Sequence, residues 1–239
     1  MIATGGRALY GAPLGILMLE ARFPRVPGDM GNAETWPFPV LYKVIGGASP
    51  DRVVRRRAEG LLEEFVAGAK ELVDLGAEAI TTNCGFLSLF QAELAARLDV
   101  PVATSSLLQV PLVERLLPPG KRAGVITVDA EALSEAHLAA AGCPPDTPKV
   151  GTEGGRELTR VLLGNEERLD TRLAEADMLE AGTTLLERHP EVGAIVLECT
   201  NMGPYAAALR RHLGIPVYDI VSFVTWFHQG LRPRRFEAR

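Results

Sequence analysis

The strongest constraint on this chain is that it repeats itself. Cys84 stands 17 positions before Pro101-Val102, and Cys199 stands 17 positions before Pro216-Val217. Between these landmarks the apolar positions run in step, Leu94 with Leu209 and Leu98 with Leu213. In each copy an apolar run precedes the cysteine, a helical pattern follows it, and a Pro-Val strand closes the unit. Further upstream, Leu14 to Leu19 and Ala123 to Val128 are matching apolar runs, with Gly15 and Gly124 lying 69 and 75 residues before the respective cysteines. Strands separated by helical patterns argue for βαβ units and parallel sheets. The expected fold is therefore α/β, as two pseudo-symmetric halves. Each has a mostly parallel sheet flanked by helices, and the site lies in the cleft between them. The first half is expected at 1–105 plus 217–239 and the second at 106–216, with the last helix packing Val221, Phe223, Val224 and Phe227 back onto the first half.

The remaining periodicities place the other elements. Strands are expected at Pro39 to Ile45, Ala79 to Thr82, Pro101 to Ala103, Ala194 to Glu198 and Pro216 to Tyr218. Asp51 to Leu75 reads as one long helix, closed by Gly76. Helices also read at 87–98, 107–116, 130–141, 205–213 and 221–231, and between 157 and 189 with a break near Gly164-Asn165.

Composition narrows the function. The 239 residues carry 25 basic and 30 acidic side chains, a formal charge of -5, which argues against a partner held through nucleic-acid phosphates. The one cationic run, Arg52 with Arg55 to Arg57, sits among Asp51, Glu59, Glu63 and Glu64 and reads as a solvated helix face. No apolar stretch approaches the ~20 residues of a membrane span, and no secretory leader is evident, so a cytoplasmic protein is expected. Three widely spaced cysteines without a C-x-x-C pair argue against a disulfide framework or a zinc ribbon. The four histidines lack metal-ligand spacing, and the glycine pairs form no G-x-G-x-x-G or P-loop, so neither a metal nor a nucleotide cofactor is expected.

The chemistry points to the paired cysteines. Ligands of open parallel sheets bind beyond the carboxyl ends of the strands, where Cys84 and Cys199 fall. A thiol at the first turn of a helix faces unpaired N–H groups, which is expected to lower its pKa and to favour a bound carboxylate. Asn83 and Gly85 flank the first cysteine; Thr200 and Asn201 follow the second. Asparagine and threonine offer neutral hydrogen bonds, and glycine admits close backbone approach. Thr127, ending the strand equivalent to the first one, and Arg22, in the Pro- and Gly-rich loop from Arg22 to Pro39, are further substrate-binding candidates. Cys143, in an Ala-Gly-Cys-Pro-Pro segment away from any strand end, reads as structural. Two thiols facing one carbon can take a proton from one side and return it on the other.

Thr82-Asn83-Cys84-Gly85 and Glu198-Cys199-Thr200-Asn201-Met202, each after a strand, resemble the motifs of the aspartate/glutamate racemase superfamily. The Cys-Thr-Asn triplet is also similar to the hydantoin racemase and maleate isomerase branches. The resemblance implies a cofactor-independent racemase or epimerase of a small carboxylate or amino acid, using Cys84 and Cys199 as opposed acid and base. Two departures set the motifs apart from the usual aspartate and glutamate racemase pattern and leave the substrate open, though not the two-cysteine chemistry: asparagine precedes rather than follows Cys84, and no histidine follows Cys199 closely. Cis–trans isomerisation of a maleate-like diacid, and a non-catalytic binder of small anions, are the alternatives; two cysteines argue against a decarboxylase. The expected partners are a small carboxylate and, as an assembly the sequence allows, a second copy in a homodimer, with no nucleic acid and no membrane.

Overall fold

A computed structural model describes residues 4–236. The first half contains β1 (Leu14–Leu19), β2 (Val40–Ile45), α1 (Pro50–Val54), α2 (Leu62–Leu75), β3 (Ala79–Thr82), α3 (Gln91–Arg97) and β4 (Val102–Ala103). The second contains α4 (Val110–Leu116), β5 (Arg122–Thr127), α5 (Glu135–Ala140), β6 (Lys149–Gly151), α6 (Leu158–Gly164), α7 (Thr171–Arg188), β7 (Val192–Leu197), α8 (Ala206–Leu213) and β8 (Val217–Tyr218); α9 (Ile220–Leu231) ends the described elements. Both sheets are four-stranded and parallel throughout, in the orders β2-β1-β3-β4 and β6-β5-β7-β8. The two orders are the same when the second set is renumbered from one. The repeat in the sequence is thus a repeat of topology, and β3 and β7, the strands that lead to the cysteines, occupy the same place in each sheet.

The central strands are apolar on both faces, as parallel strands covered by helices must be. All of β1, and all of β7 except Gly193, is buried. The main core joins the halves, running from Leu17, Phe65 and Leu87 to Val125, Val196 and Leu209. A second cluster forms where α9 lays Ile220, Phe223 and Val224 against Leu14, Ile16 and Met18 of β1 and Trp36 of the following loop. Asp219 caps α9 by accepting from the Ser222 amide at 2.7 Å, and the Gln109 amide donates to the Asp219 carbonyl at 3.0 Å. The two crossings of the chain between halves are thereby tied together. Among the described residues, no helix is long and apolar enough to cross a membrane.

Four expectations are corrected. The chain leaves the second half two residues later than 216, because Val217–Tyr218 pairs with β7 as the edge of the second sheet. The single helix over 51–75 is two helices. Arg57 and Ala58 take positive φ of 52° and 53° and Gly60 one of 69°, and Ala58 turns into the core instead of continuing the helix. The short strand Lys149–Gly151 was not evident, since three residues between Pro148 and a glycine carry only one buried apolar side chain, Val150. The segment after Cys84 opens as a 3-10 turn, Gly85–Phe90, and becomes α-helical only at Gln91.

Candidate active site

Each cysteine stands two residues beyond its strand, Cys84 after β3 and Cys199 after β7. Parallel register brings both strand ends to the edge where the halves meet. Thr82 shapes the first turn, its hydroxyl donating to the Thr104 carbonyl at 2.6 Å and accepting from the Cys84 amide at 3.4 Å. Cys84 caps the 3-10 turn. Cys199 heads a turn of its own, closed by the Met202 amide on the Cys199 carbonyl at 3.1 Å, and the next helical turn begins only at Gly203. The expected symmetry of two helix N-termini therefore holds for Cys84 alone.

The two thiols share one small pocket, a cavity of about 30 Å³. Leu19, Phe23, Pro50, Val54, Asn83 and Phe86 wall it from the first half, and Val128, Leu162, Leu163, Glu198 and Asn201 from the second. The left-handed turn after α1 matters here, because it keeps that helix short and sets Pro50 and Val54 over the thiols. Next to Phe23 in the chain, the Arg22 amide donates to Asn165 Oδ1 at 2.6 Å, a further tie between the halves. A substrate enters only if these walls part.

The sequence candidates divide into three groups. Cys84, Cys199, Asn83 and Asn201 form the pocket surface. Asn83 Oδ1 accepts from the Leu19 amide at 2.7 Å, which fixes the side chain and leaves its Nδ2 donors to the pocket. Thr200, Thr127 and Gly85 stand behind that surface. The Thr200 hydroxyl donates to the Asn83 carbonyl and latches the halves together, so it is not offered to a substrate. The Thr127 hydroxyl donates to Glu198 Oε2 at 2.7 Å. Gly85 packs against Glu198 with no room for a side chain. Arg22 lies outside: its guanidinium is 72% exposed and paired with Glu167, because the loop turns it onto the opposite half's surface. Truncating Arg22 to Ala is expected to change turnover by less than about twofold and stability by less than about 0.5 kcal/mol, checked by kinetics and urea denaturation.

Three functional groups were missed. Arg25 and Asp29, buried in the Arg22 to Pro39 loop, pair at 2.9 Å. Asp29 accepts in turn from the Asn201 Nδ2, and Asn201 Oδ1 faces the Cys199 thiol at 3.4 Å. This chain fixes the amide so that its oxygen accepts from the S–H. Glu198 is the third, a fully buried carboxyl beside the thiols. Its signal was present, since an acid closing the apolar run Ala-Ile-Val-Leu has no solvent to face.

The electrostatics also correct the sequence reading. Burial pushes both Cys84 and Cys199 up, not down. Amides of Phe86 and Leu87 on Cys84, and of Asn201 on Cys199, pull the other way and lose. Glu198 is raised to about 8 by burial, opposed by the Thr127 hydrogen bond. The closed pocket thus holds three neutral acids at pH 7. Between the ordinary carboxylate pKa of 4.5 and about 8 the folded chain keeps a Glu198 proton that the unfolded chain loses. Stability therefore falls as pH rises from 4.5, and the penalty is complete above 8. Glu198→Gln is expected to be more stable than the parent by about 4 kcal/mol at pH 7.5, roughly three pH units above 4.5 at about 1.4 kcal/mol each, the difference vanishing below pH 4.5. Urea midpoints across that range check it. Cys143 is buried elsewhere, its thiol 3.5 Å from the Leu107 carbonyl and pushed up to about 12 by burial. Among the described residues no cluster of His, Cys, Asp and Glu is arranged to hold a metal.

Comparison with known proteins adds three findings. The family model described as Asp/Glu/Hydantoin racemase matches residues 109–227. A dimethylsulfoniopropionate lyase of Durusdinium sp. clade D is 26% identical over 227 residues, covering 92% of this chain and 75% of the lyase. Dimethylsulfoniopropionate lyase 6 of Emiliania huxleyi is 28% identical over 231 residues, of which this chain spans only 57% of the length. The Gly74Cys mutant of arylmalonate decarboxylase, in a sulfate-associated form, superposes with a TM-score of 0.63 at 19% identity over 95% of this chain and 96% of that one. At that identity the likeness is one of fold, and a Bacillus anthracis glutamate racemase shares it at a TM-score of 0.58 and 14% identity, over 93% of this chain and 83% of that one.

Proposed function

We propose, from the match of residues 109–227 to the Asp/Glu/Hydantoin racemase model, that the chain is a racemase or epimerase that removes a proton α to the carboxylate of a small substrate and returns one on the opposite face. The observation that carries this reading is the shared pocket of Cys84 and Cys199, one thiol from each half. In the proposed reaction one cysteine acts as thiolate base while the other, still protonated, is the acid; the reverse direction exchanges the roles. The amides that point at each sulfur stabilise the thiolate when it forms. Asn83 Nδ2 is placed to donate to the negative charge that develops on the carboxylate oxygens. The scheme requires both thiols to be reduced, and all three cysteines are free.

A second reading keeps the α-proton step and changes its outcome. The dimethylsulfoniopropionate lyases similar to this chain are its motivation. In a propionate with a sulfonium group β to the carboxylate, loss of the α-proton expels dimethyl sulfide and leaves acrylate, and one thiolate suffices. The ring of Phe86 in the pocket wall suits a sulfonium cation, whereas Phe23 already carries the Arg25 guanidinium on its face at 4.7 Å.

One experiment separates the readings. Enantiopure α-amino and α-hydroxy acids, maleate and dimethylsulfoniopropionate are incubated with the protein in D2O. Deuterium at Cα with loss of optical activity supports racemisation. Release of dimethyl sulfide and acrylate supports the lyase. Absence of exchange or turnover in the whole panel would refute α-proton chemistry and leave a binder of small anions.

A further inference from the structure

Glu198 is the one group of the pocket that the two-thiol scheme does not use. It is fully buried, and its two oxygens are treated differently. Oε2 accepts from the Thr127 hydroxyl at 2.7 Å. Oε1 is buried without any hydrogen-bond partner, beside the bare Cα of Gly85. Native structures rarely leave a buried polar atom unpaired; of the six such atoms among the described residues, Glu198 Oε1 is the one on a residue that lines the thiol pocket. The surroundings say which kind of ligand suits it. Cys84, from the end of β3, and Cys199, beside it after β7, are the only other titratable groups in the wall. No lysine, arginine or histidine lines it; the charged pair Arg25 and Asp29 reaches it through Asn201, with Arg25 Nη1 on Asp29 and Arg25 Nη2 buried and unpaired behind the wall.

We infer that Glu198 serves as a neutral carboxylic acid, donating its Oε1–H to the carboxylate of the bound substrate and to the enediolate that develops from it. The inference rests on the proposed carboxylate substrate. Two carboxylates in one dry pocket cannot both be ionised, so they share one proton, as paired acids do elsewhere. Thr127 holds Oε2 as the acceptor, which leaves Oε1 to carry the proton. Gly85 leaves room for that oxygen between the halves. The acid needs no transfer to act: it donates a hydrogen bond that shortens as charge moves onto the substrate oxygen, and the bond strengthens where the transition state needs it. Burial already raises Glu198 to about 8, so the donor form prevails at neutral pH before any ligand arrives.

The probe is propionate, a small carboxylate with no leaving group, titrated by calorimetry from pH 6 to 9.5 in pairs of buffers with different ionisation heats. In the wild-type protein the affinity is expected to hold steady to about pH 7.5 and then to fall tenfold per pH unit above about 8. About one proton should be taken up per propionate bound at pH 9. Both thiols are pushed well above their usual range and His137 down to about 4, so none of the three titrates in this window. Glu198→Gln keeps a donor and the Thr127 contact, and its affinity is expected to be independent of pH with no proton uptake. Wild-type binding that stays flat to pH 9.5, no detectable propionate binding, or unchanged proton uptake in Glu198→Gln would each overturn the inference. Binding is read without turnover, so the outcome is distinct from that of the D2O panel. Proton-linked binding without any exchange would keep Glu198 as the carboxylate's partner and refute the α-proton reaction.

Discussion

Replacing Cys84 or Cys199 by Ala is expected to reduce turnover by on the order of a thousandfold or more, with circular dichroism and unfolding midpoint little changed. General acid–base groups contribute about 10²- to 10⁴-fold each, and in a two-base scheme every productive cycle uses both. Neither substitution opens a large cavity: each side chain is 9% exposed and lines a pocket that already holds open space. The two serine variants carry the finer information. Each retains one thiol, and elimination of a β-leaving group needs only the abstracting base. Cys84→Ser and Cys199→Ser should therefore favour opposite enantiomers of a β-substituted analogue. If the sulfonium reading is right instead, one cysteine variant loses dimethyl sulfide release and the other keeps a measurable part of it. Cys143→Ala is the control, expected to stay within about threefold because its thiol does not line the pocket and bonds instead to the Leu107 carbonyl. Near-normal racemisation by either Cys84→Ala or Cys199→Ala would remove the two-base scheme.

What could be read from the sequence followed from local rules repeated along the chain. The apolar runs of β1, β5 and β7 leave parallel strands as the only economical assignment. The echo of Cys84 with Cys199 gave the topology, because equal spacing from a strand end to the next strand means equal βαβ geometry. Features that depend on a tertiary contact were not visible. Nothing local distinguishes Arg57 and Ala58 from helix formers; their left-handed turn exists because Ala58 packs into the core and the Arg52 guanidinium holds the Gly47 and Glu59 carbonyls at 3.3 and 3.1 Å. Arg22 carried the right charge for a carboxylate, but loop geometry spends it on Glu167. The thiol pKa was misjudged for a related reason. The helix-terminus argument counts the amides at Cys84, whereas the closing of Pro50, Val54, Leu162 and Leu163 over the sulfurs removes the water that would stabilise a thiolate. Burial depends on both halves at once, and no window of the sequence holds both.

The same dependence makes Gly85 a sensitive position at the seam of the halves. Gly85→Ala is expected to destabilise the protein by about 3 kcal/mol and to lower turnover at least a hundredfold. An added Cβ would overlap Glu198 Oε1 and the Glu198 carbonyl oxygen, and would stand only 2.8 Å from Glu198 Cδ. A flexible side chain at a surface could swing away, but this one cannot. Its Oε2 is held by Thr127, its walls are buried, and the backbone carbonyl belongs to the end of β7, whose position is set by pairing with β5 and β8. Relief comes only by moving the halves apart, which breaks the Thr200 latch on the Asn83 carbonyl and separates the thiols. Overpacking of a tight core costs about 1–3 kcal/mol when the surroundings can shift, and the stiffness here argues for the upper end. Gly46→Ala is the control, with nothing within 4 Å of its added Cβ. Urea unfolding with turnover of both variants measures the difference. The double variant Gly85→Ala/Glu198→Ala then divides the cause: removing the carboxyl leaves the carbonyl overlap in place, so only part of the lost stability should return. Wild-type stability and turnover in Gly85→Ala would mean that the halves do not close on each other at this point, and the shared thiol pocket would go with it.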